Sequence, residues 1–465
     1  MRLNSALTGR ASLSVSKQPL QIGLATTDQP TSDSAVAAPQ ITDELKTAGA
    51  TLLLAIIDWQ AWSHRKVESL DFYEGRRGRR RVSIDCTPLN LRWRDPRVQE
   101  SFQPSEAIAV PLTMMGKAPL RQLDVRDAGG VAIPVLGASS NGLLAASALL
   151  NLLILAVGVD AAELAWPRVW KVATGGESEA LAEAETICEE FNLDLFATQQ
   201  FRDLASNFIL TALLPASAAG VRTVIKYAYH WDVDPMPAAP LPLGRRVQVW
   251  LKSTAAGLGL ASLSVDVDLN SADSSSSYHL ECTAPNGISC SEVRLPTDSS
   301  GSEPVDPASG PVGHVKGRFD FGHRGDDEPA RVSFVMEPGG ALSRAALFSA
   351  LTAAFLFFLI LVPGVPGAFS KDPGSALSLL LFLPAVLLAL NAKGTENVFV
   401  SRFLRPSRII SAALSAVYAV SGGLLVAKAS EEAVVAWWRF GLFCAVIALI
   451  LTAGGLYGLR VRRRV

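Results

Sequence analysis

A chain of 465 residues is long enough for two or three domains; nearly half of it is apolar, and its charged share of 18% is below the usual quarter. The formal net charge of −1 averages a basic region around residues 76–97 with acidic stretches elsewhere, so it excludes no partner by itself. The apolar excess is concentrated in residues 345–460, which points to a membrane anchor carrying an otherwise ordinary soluble part.

The chain begins "MRLNSALTGRASLSVSKQPL", with one early Arg but no uninterrupted apolar core, so no secretory signal is expected. Residues 1–45, rich in Ser, Thr, Ala and Pro, are expected to be a flexible tail. Residues 46–220 are expected to form an α+β domain. Its first part, 51–137, reads as strands and turns: the apolar run "LLLAIIDW", a hairpin of "KVESLDFYE" and "RRVSIDCTPL" flanking an Arg cluster, then "AIAVPLTM", "LRQLDVRD" and "VAIPVL". Residues 142–159 are apolar all round and long enough to span a bilayer, but the preferred reading is a buried core helix, because a crossing there would put "RRGRRR" on the opposite side without a signal. Helices are expected over 178–192 and 195–213, the second on the spacing of Phe201, Leu204 and Phe208 and ended by Pro215.

From residue 221 the period becomes two. Ile225, Tyr227, Tyr229 and Trp231 alternate with more polar neighbours, as do Val247, Val249 and Leu251, then Leu263, Val265 and Val267, and further short runs to Phe334. About seven short strands suggest an antiparallel β-sandwich over 221–340, with 296–314 as a low-complexity loop. The aromatic residues of 225–250 suit its core better than a carbohydrate platform.

Four transmembrane helices follow, at about 345–363, 375–392, 409–427 and 440–459, each long enough for a hydrocarbon core of about 30 Å. They are expected to form an up-and-down bundle, in which Gly454 and Gly458 offer a small-residue contact. The connection between the second and third spans carries Lys393, Arg402, Arg405 and Arg408, and the basic tail 461–465 follows Arg460. Positive charge marks the cytoplasmic side, so the expectation is a multi-pass cell-membrane protein with the soluble domains and both termini cytoplasmic.

The phrases "RRVSIDCTPLNL", "VPLTMMGKAPLRQLDVRDAGG", "SSSSYHLECTAPNGISC" and "GHVKGRF", followed by four C-terminal spans, resemble polytopic membrane proteins of high-GC Gram-positive bacteria that have no assigned function. The resemblance covers most of residues 50–460 and implies no catalytic residue, ligand or partner.

Candidate chemistry is sparse. Gly116-Lys117 lacks the flanking residues of a phosphate-binding loop, and no dinucleotide fingerprint, H-E-x-x-H helix or nucleophile elbow occurs, so no cofactor is expected. His314, His323 and Asp320 are the right ligand types for a divalent metal, but their spacing matches no compact motif and a hydrated surface explains them. Cys282 and Cys290 bracket a turn and could meet across a hairpin; in a reducing compartment they are expected to be thiols. The Arg76, Arg77, Arg79, Arg80 and Arg81 cluster reads as a solvated hairpin tip, as a contact for anionic lipid headgroups, or, least well, as a nucleic-acid site without stacking aromatics. The leading functional expectation is a non-catalytic membrane-tethered protein that binds a protein partner, scaffolds or senses. An accessory subunit of a transport or channel complex and a membrane-tethered enzyme with an unrecognised site are the alternatives.

Overall fold

Local signals set the first elements. The structure, a computed structural model, describes residues 38–72, 77–93, 107–118, 120–232, 243–269, 271–296, 300–304, 311–319, 329–337, 340–362, 386 and 398–462. Helix α1 (Asp43–Ile57) starts on Thr42, whose hydroxyl accepts from the Leu45 amide at 3.2 Å, with Asp43 and Glu44 at the positive end of the helix. The run "LLLAIIDW", read from sequence as part of a strand region, therefore lies mostly in a helix. A short turn, α2 (Trp59–Trp62), leads into β1 (Ser63–Phe72) and β2 (Arg77–Cys86). These two form the expected antiparallel hairpin, in register from Arg65↔Asp85 to Phe72↔Gly78, with an irregularity between Ser63 and Arg65. Strands β3 (Ala107–Gly116) and β4 (Arg121–Arg126) follow.

Next comes a helical stretch: α3 (Ala138–Val157), α4 (Val159–Leu164), α5 (Trp166–Thr174), α6 (Glu177–Glu190) and α7 (Leu195–Ser206). Helix α7 stops at Ser206, and the residues expected to continue it form β5 (Asn207–Pro215), where "NFILTALLP" pairs with β3. The strand pairing outweighs a helical spacing that only Phe208 extended.

Helix α3 is the apolar stretch that could be either span or core. Protein covers it: 67% of its most apolar window is buried, against 28–33% in the three C-terminal helices of similar hydropathy. Its polar groups are met by protein as well. Asn141 donates to the Ile209 carbonyl and accepts from Thr211 Oγ1 at 3.0 Å, while Asn151 Nδ2 donates to the Lys46 carbonyl at 2.8 Å. Gly49 of α1 lies so close to Ser147 that a Cβ would strike its backbone. Leu143, Leu144, Leu149, Leu150 and Leu153 are almost fully buried, and each such side chain contributes roughly 2 kcal/mol.

The remaining elements are β6 (Thr223–Asp232), α8 (Leu243–Gly257), β7 (Leu263–Val267), β8 (Tyr278–Thr283), β9 (Ile288–Arg294), β10 (Ser300–Pro304), β11 (Val312–Arg318) and β12 (Ala330–Met336). The expected strand around Val247, Val249 and Leu251 is the helix α8. Val247, Trp250, Leu251 and Thr254 share a helical face, and the Arg, Gln, Leu, Lys and Ala around them favour helix.

The strands form a seven-stranded sheet in the order β10-β11-β8-β1-β2-β6-β4, a three-stranded sheet β7-β12-β9, and the pair β3-β5. The large sheet takes strands from both sides of residue 220, where a domain boundary was expected. Its centre is the parallel pairing of β1 with β8, Lys66 opposite Tyr278. The 221–340 strands are thus not a self-contained sandwich. Their apolar faces do meet across two sheets: Leu70, Tyr278, Leu280 and Val315 of the large sheet share a core with Val265, Ile288, Val332 and Phe334 of the small one.

Helices α9 (Ala341–Leu361), α10 (Val398–Val426) and α11 (Glu431–Arg462) complete the fold. Together with α3, they are the four described helices long and apolar enough to cross a membrane. The expected span at 375–392 lies, apart from residue 386, outside the described residues. The two-sheet core continues into the helix ends, since Leu342, Phe403 and Leu459 belong to it. Three glycines permit this junction. Gly257 faces the Phe403 carbonyl and Pro406, Gly259 (φ +75°) faces Leu342 and Leu459, and Gly455 faces the Leu258 carbonyl; a Cβ at any of them would collide. Of the glycines expected to offer a contact, a Cβ at Gly458 would lie 3.7 Å from the Gly259 carbonyl, and one at Gly454 would meet nothing within 4 Å among the described residues; the closest approach on this helix is at Gly455, against the 257–259 turn. Between helices the tight point is Gly441, whose Cβ position is 2.5 Å from Val417 Cγ1 and 3.1 Å from Leu356 Cδ1.

Candidate functional site

The two faces of the seven-stranded sheet carry most of the charge chemistry that the fold brings together. Strand alternation separates them: Lys66, Glu68, Arg80, Tyr227, Tyr229 and Tyr278 share the closed face, and Ser69, Arg79, Arg81, Lys226, His279 and Glu281 share the open one.

On the closed face, Arg80 pairs with Glu68 through Nε, and a second nitrogen donates to the Asp268 carbonyl at 2.6 Å. Tyr278 donates to the other Glu68 oxygen at 3.0 Å, and Lys66 donates to the Ser271 carbonyl at 3.0 Å. Burial pushes the Lys66 ammonium down to about 8, opposed by the attraction of Glu68 and assisted by Arg80. Burial also works against the Arg80 charge, but Glu68 prevails and holds the guanidinium above its ordinary value. Tyr278 is raised by burial first and by Glu68 second. The two cations thereby fasten the loop after β7 onto the large sheet. Both cations are almost fully buried, and their chemistry is that of a closed clamp.

The open face is different. A groove of about 590 Å³ runs across β1, β2, β6 and β4, with Arg79, Arg81, Arg126 and Lys226 along it. Arg81 pairs with Asp71 at 2.6 Å and Arg126 with Asp124 at 2.8 Å. Among the described residues neither Arg79 nor Lys226 has an acidic side chain at ion-pair distance, and the groove's described lining, with Arg79, Arg81, Arg126 and Lys226 against Asp124 and Glu281, is net positive. Ser69 donates to Glu281 at 2.8 Å on the β8 side. Beyond it, His279 Nδ1 lies 3.1 Å from His314 Nε2. Burial lowers the His279 pKa, and His314, Arg65 and Lys316 lower it further against the opposing Glu281.

The sequence-predicted residues fall unevenly on this frame. The Arg cluster is divided by the strand period. Arg79 and Arg81 face the groove, whereas Arg80 is only 5% exposed and serves Glu68, so it contacts neither lipid nor solvent as expected. Arg76 and the side chain of Arg77 lie outside the described residues. His314 has His279 as its neighbour, a partner the spacing gave no sign of, and Asp320 and His323 lie outside the described residues. Among the described residues no group of three or more His, Cys, Asp and Glu is placed to hold a metal. Cys282 and Cys290 are free and buried in the core shared by the two sheets, on β8 and β9 rather than within one sheet, and Cys290 Sγ donates to the Glu292 carbonyl at 3.8 Å. Lys117 caps a helix: its ammonium donates to the Val172 and Gly175 carbonyls at 3.0 and 3.1 Å, at the negative end of α5.

No family model matches the chain, and no curated protein matches it.

Proposed function

We propose that the protein is a non-catalytic, membrane-tethered binding protein that presents the groove of its seven-stranded sheet to an anionic partner. The observation that carries this reading is the shared core of Leu342, Phe403 and Leu459 with Val265, Val332 and Phe334. A groove fastened in this way to the mouth of a helix bundle has a fixed height and orientation above the bilayer. Its net positive lining, with Arg79 and Lys226, favours negative charge.

The bundle acts as the anchor. Its buried hydroxyls at Ser349, Ser421 and Thr452 donate to carbonyls of their own helices at 2.7 Å, which suits packing rather than a solute path. Helices α9 and α10 both start, and α11 ends, beside the 257–259 turn. The chain therefore leaves that level along α9 and is back there at Phe403, as one return crossing through the apolar 375–392 stretch would require. Arg344, Arg405, Arg408 and Arg460 gather at this level, which supports a cytoplasmic soluble part.

Two measurements test the reading. A photo-crosslinking residue at Ser83, in the groove, should capture a partner in intact cells, and Arg79→Glu with Lys226→Glu should abolish the capture. Undiminished capture by the charge-reversed protein overturns the anionic reading. For orientation, Cys282 and Cys290 are too buried to report, so an exposed thiol is needed. Val131→Cys should resist impermeant maleimide in intact cells and react after lysis; labelling before lysis places the groove outside.

A further inference from the structure

Among the described residues, one apolar face of helix α8 has no protein neighbour. Val247, Trp250 and Leu251 are each about half exposed, at 50%, 52% and 54%. With a 100° step per residue, they form one stripe that Thr254 continues. Exposed Arg246 and Gln248 lie on its two sides, with exposed Lys252 beyond Gln248. The opposite side, around Ala256, packs on β7, β12 and α10.

The position of α8 identifies what covers the stripe. Its C-terminus is wedged among the ends of all three described C-terminal spans: Gly257 on Phe403 and Pro406, Leu258 on Gly455, and Gly259 on Leu342 and Leu459. From this point the helix extends for 15 residues, about 22 Å. The stripe is therefore continuous with the level at which the apolar spans meet water. A Trp belongs at that depth, and an apolar face bordered by cations is the pattern of a helix lying in the plane of the membrane. On neighbouring α10, Arg405 and Arg408 line a recess of about 400 Å³ at the same level, adding positive charge.

We propose that α8 is an interfacial helix, with Val247, Trp250 and Leu251 inserted among lipid chains and Arg246 and Lys252 at anionic phospholipid headgroups. This rests on the membrane-tethered reading and adds a second, in-plane attachment that fixes the sheets relative to the bilayer.

Nitroxide labels on the full chain test it. Val247, Trp250, Leu251, Gln248 and Lys252 are each replaced by Cys in a Cys444→Ala background, and the protein is reconstituted into vesicles of phosphatidylcholine with phosphatidylglycerol. The expected result is a periodic one. Oxygen collides with labels at 247, 250 and 251 several-fold more often than a water-soluble nickel chelate, and the ratio inverts at 248 and 252. Phosphatidylcholine alone should shift the three labels toward water; equal depth in both lipids overturns the headgroup assignment. Nickel access at all five positions, or shielding from both reagents as under a protein partner or second copy, overturns the insertion. A label at Ile450, 64% exposed on α11, separates the two failures. Ile450 in water overturns the membrane reading itself, whereas Ile450 in lipid with Trp250 in water overturns only the placement of α8.

Discussion

Glu68 and Arg80 pair where almost no solvent reaches them, their side chains being 1% and 6% exposed. Removing one member strands the other as a buried charge, which typically costs about 3–5 kcal/mol. Glu68→Gln should therefore lower the unfolding temperature markedly in mild detergent. Arg80→Met with Glu68→Leu should recover part of the loss, because neither member of the pair is then left as an unpaired charge, while Lys66 loses both the attraction of Glu68 and the repulsion of Arg80. A double variant no better than Glu68→Gln would show that the pair does more than neutralise itself.

Lys66 gives the same cluster a pH signature. Its folded pKa of about 8 lies below the ordinary 10.5 of an unfolded lysine, so between these values the unfolded chain binds the extra proton. The stability this group contributes rises as pH increases through the window from 8 to 10.5, and its penalty is fully present below 8. Lys66→Met should remove that rise. The measurement is the difference in unfolding free energy between variant and parent across the window, and a constant difference contradicts the assignment.

The histidine pair responds in a lower range. His279 is held below its ordinary 6.5, chiefly by burial and then by the cations around it. As pH falls through 6.5 the unfolded chain takes up this proton first, so the His279 contribution is present above 6.5 and is lost on acidification. The 3.1 Å contact also requires one ring to donate and the other to accept, a bond that disappears when both are charged. His279→Gln should flatten the fall in stability between pH 7 and 5, and ring-proton NMR should show the His279 resonance titrating below 6.5.

Elements set by neighbours in the chain were legible from sequence: the β1–β2 hairpin, a helix near 142–159, α6, and the long apolar helices α9, α10 and α11. Those set by distant residues were not. Lys66 and Tyr278 are opposite one another in the large sheet, yet no local period links residues 66 and 278. The boundary expected at 220 failed for that reason. Helix α8 was missed because Val247, Val249 and Leu251 also satisfy a period of two, and only Trp250 on the same stripe distinguishes helix from strand. The Arg cluster was visible as charge, but its division between a closed and an open face follows from strand alternation once the pairing partners are known. The His279–His314 contact likewise needs the β8–β11 register.

Helix α3 supplies the sharpest test of the fold, because the protein and lipid readings predict opposite outcomes. In the fold, Gly49 touches the Ser147 backbone, and Leu155 at the far end of α3 is 79% exposed. Gly49→Val should force α1 away from α3 and destabilise by several kcal/mol, as overpacking with backbone displacement does. Leu155→Lys should change stability by no more than about 0.5 kcal/mol, since it adds a charge to a wetted position. In a membrane span, a lysine there, near the helix end, would cost some part of the roughly 3 kcal/mol required at the bilayer centre, and the α1–α3 contact at Gly49 would not be needed. Unfolding temperatures of the two variants decide the matter: a sensitive Gly49 with a tolerant Leu155 fits a core helix, and the reverse order would make α3 a fifth crossing and put residues 1–137 across the membrane from the remaining strands of their own sheet.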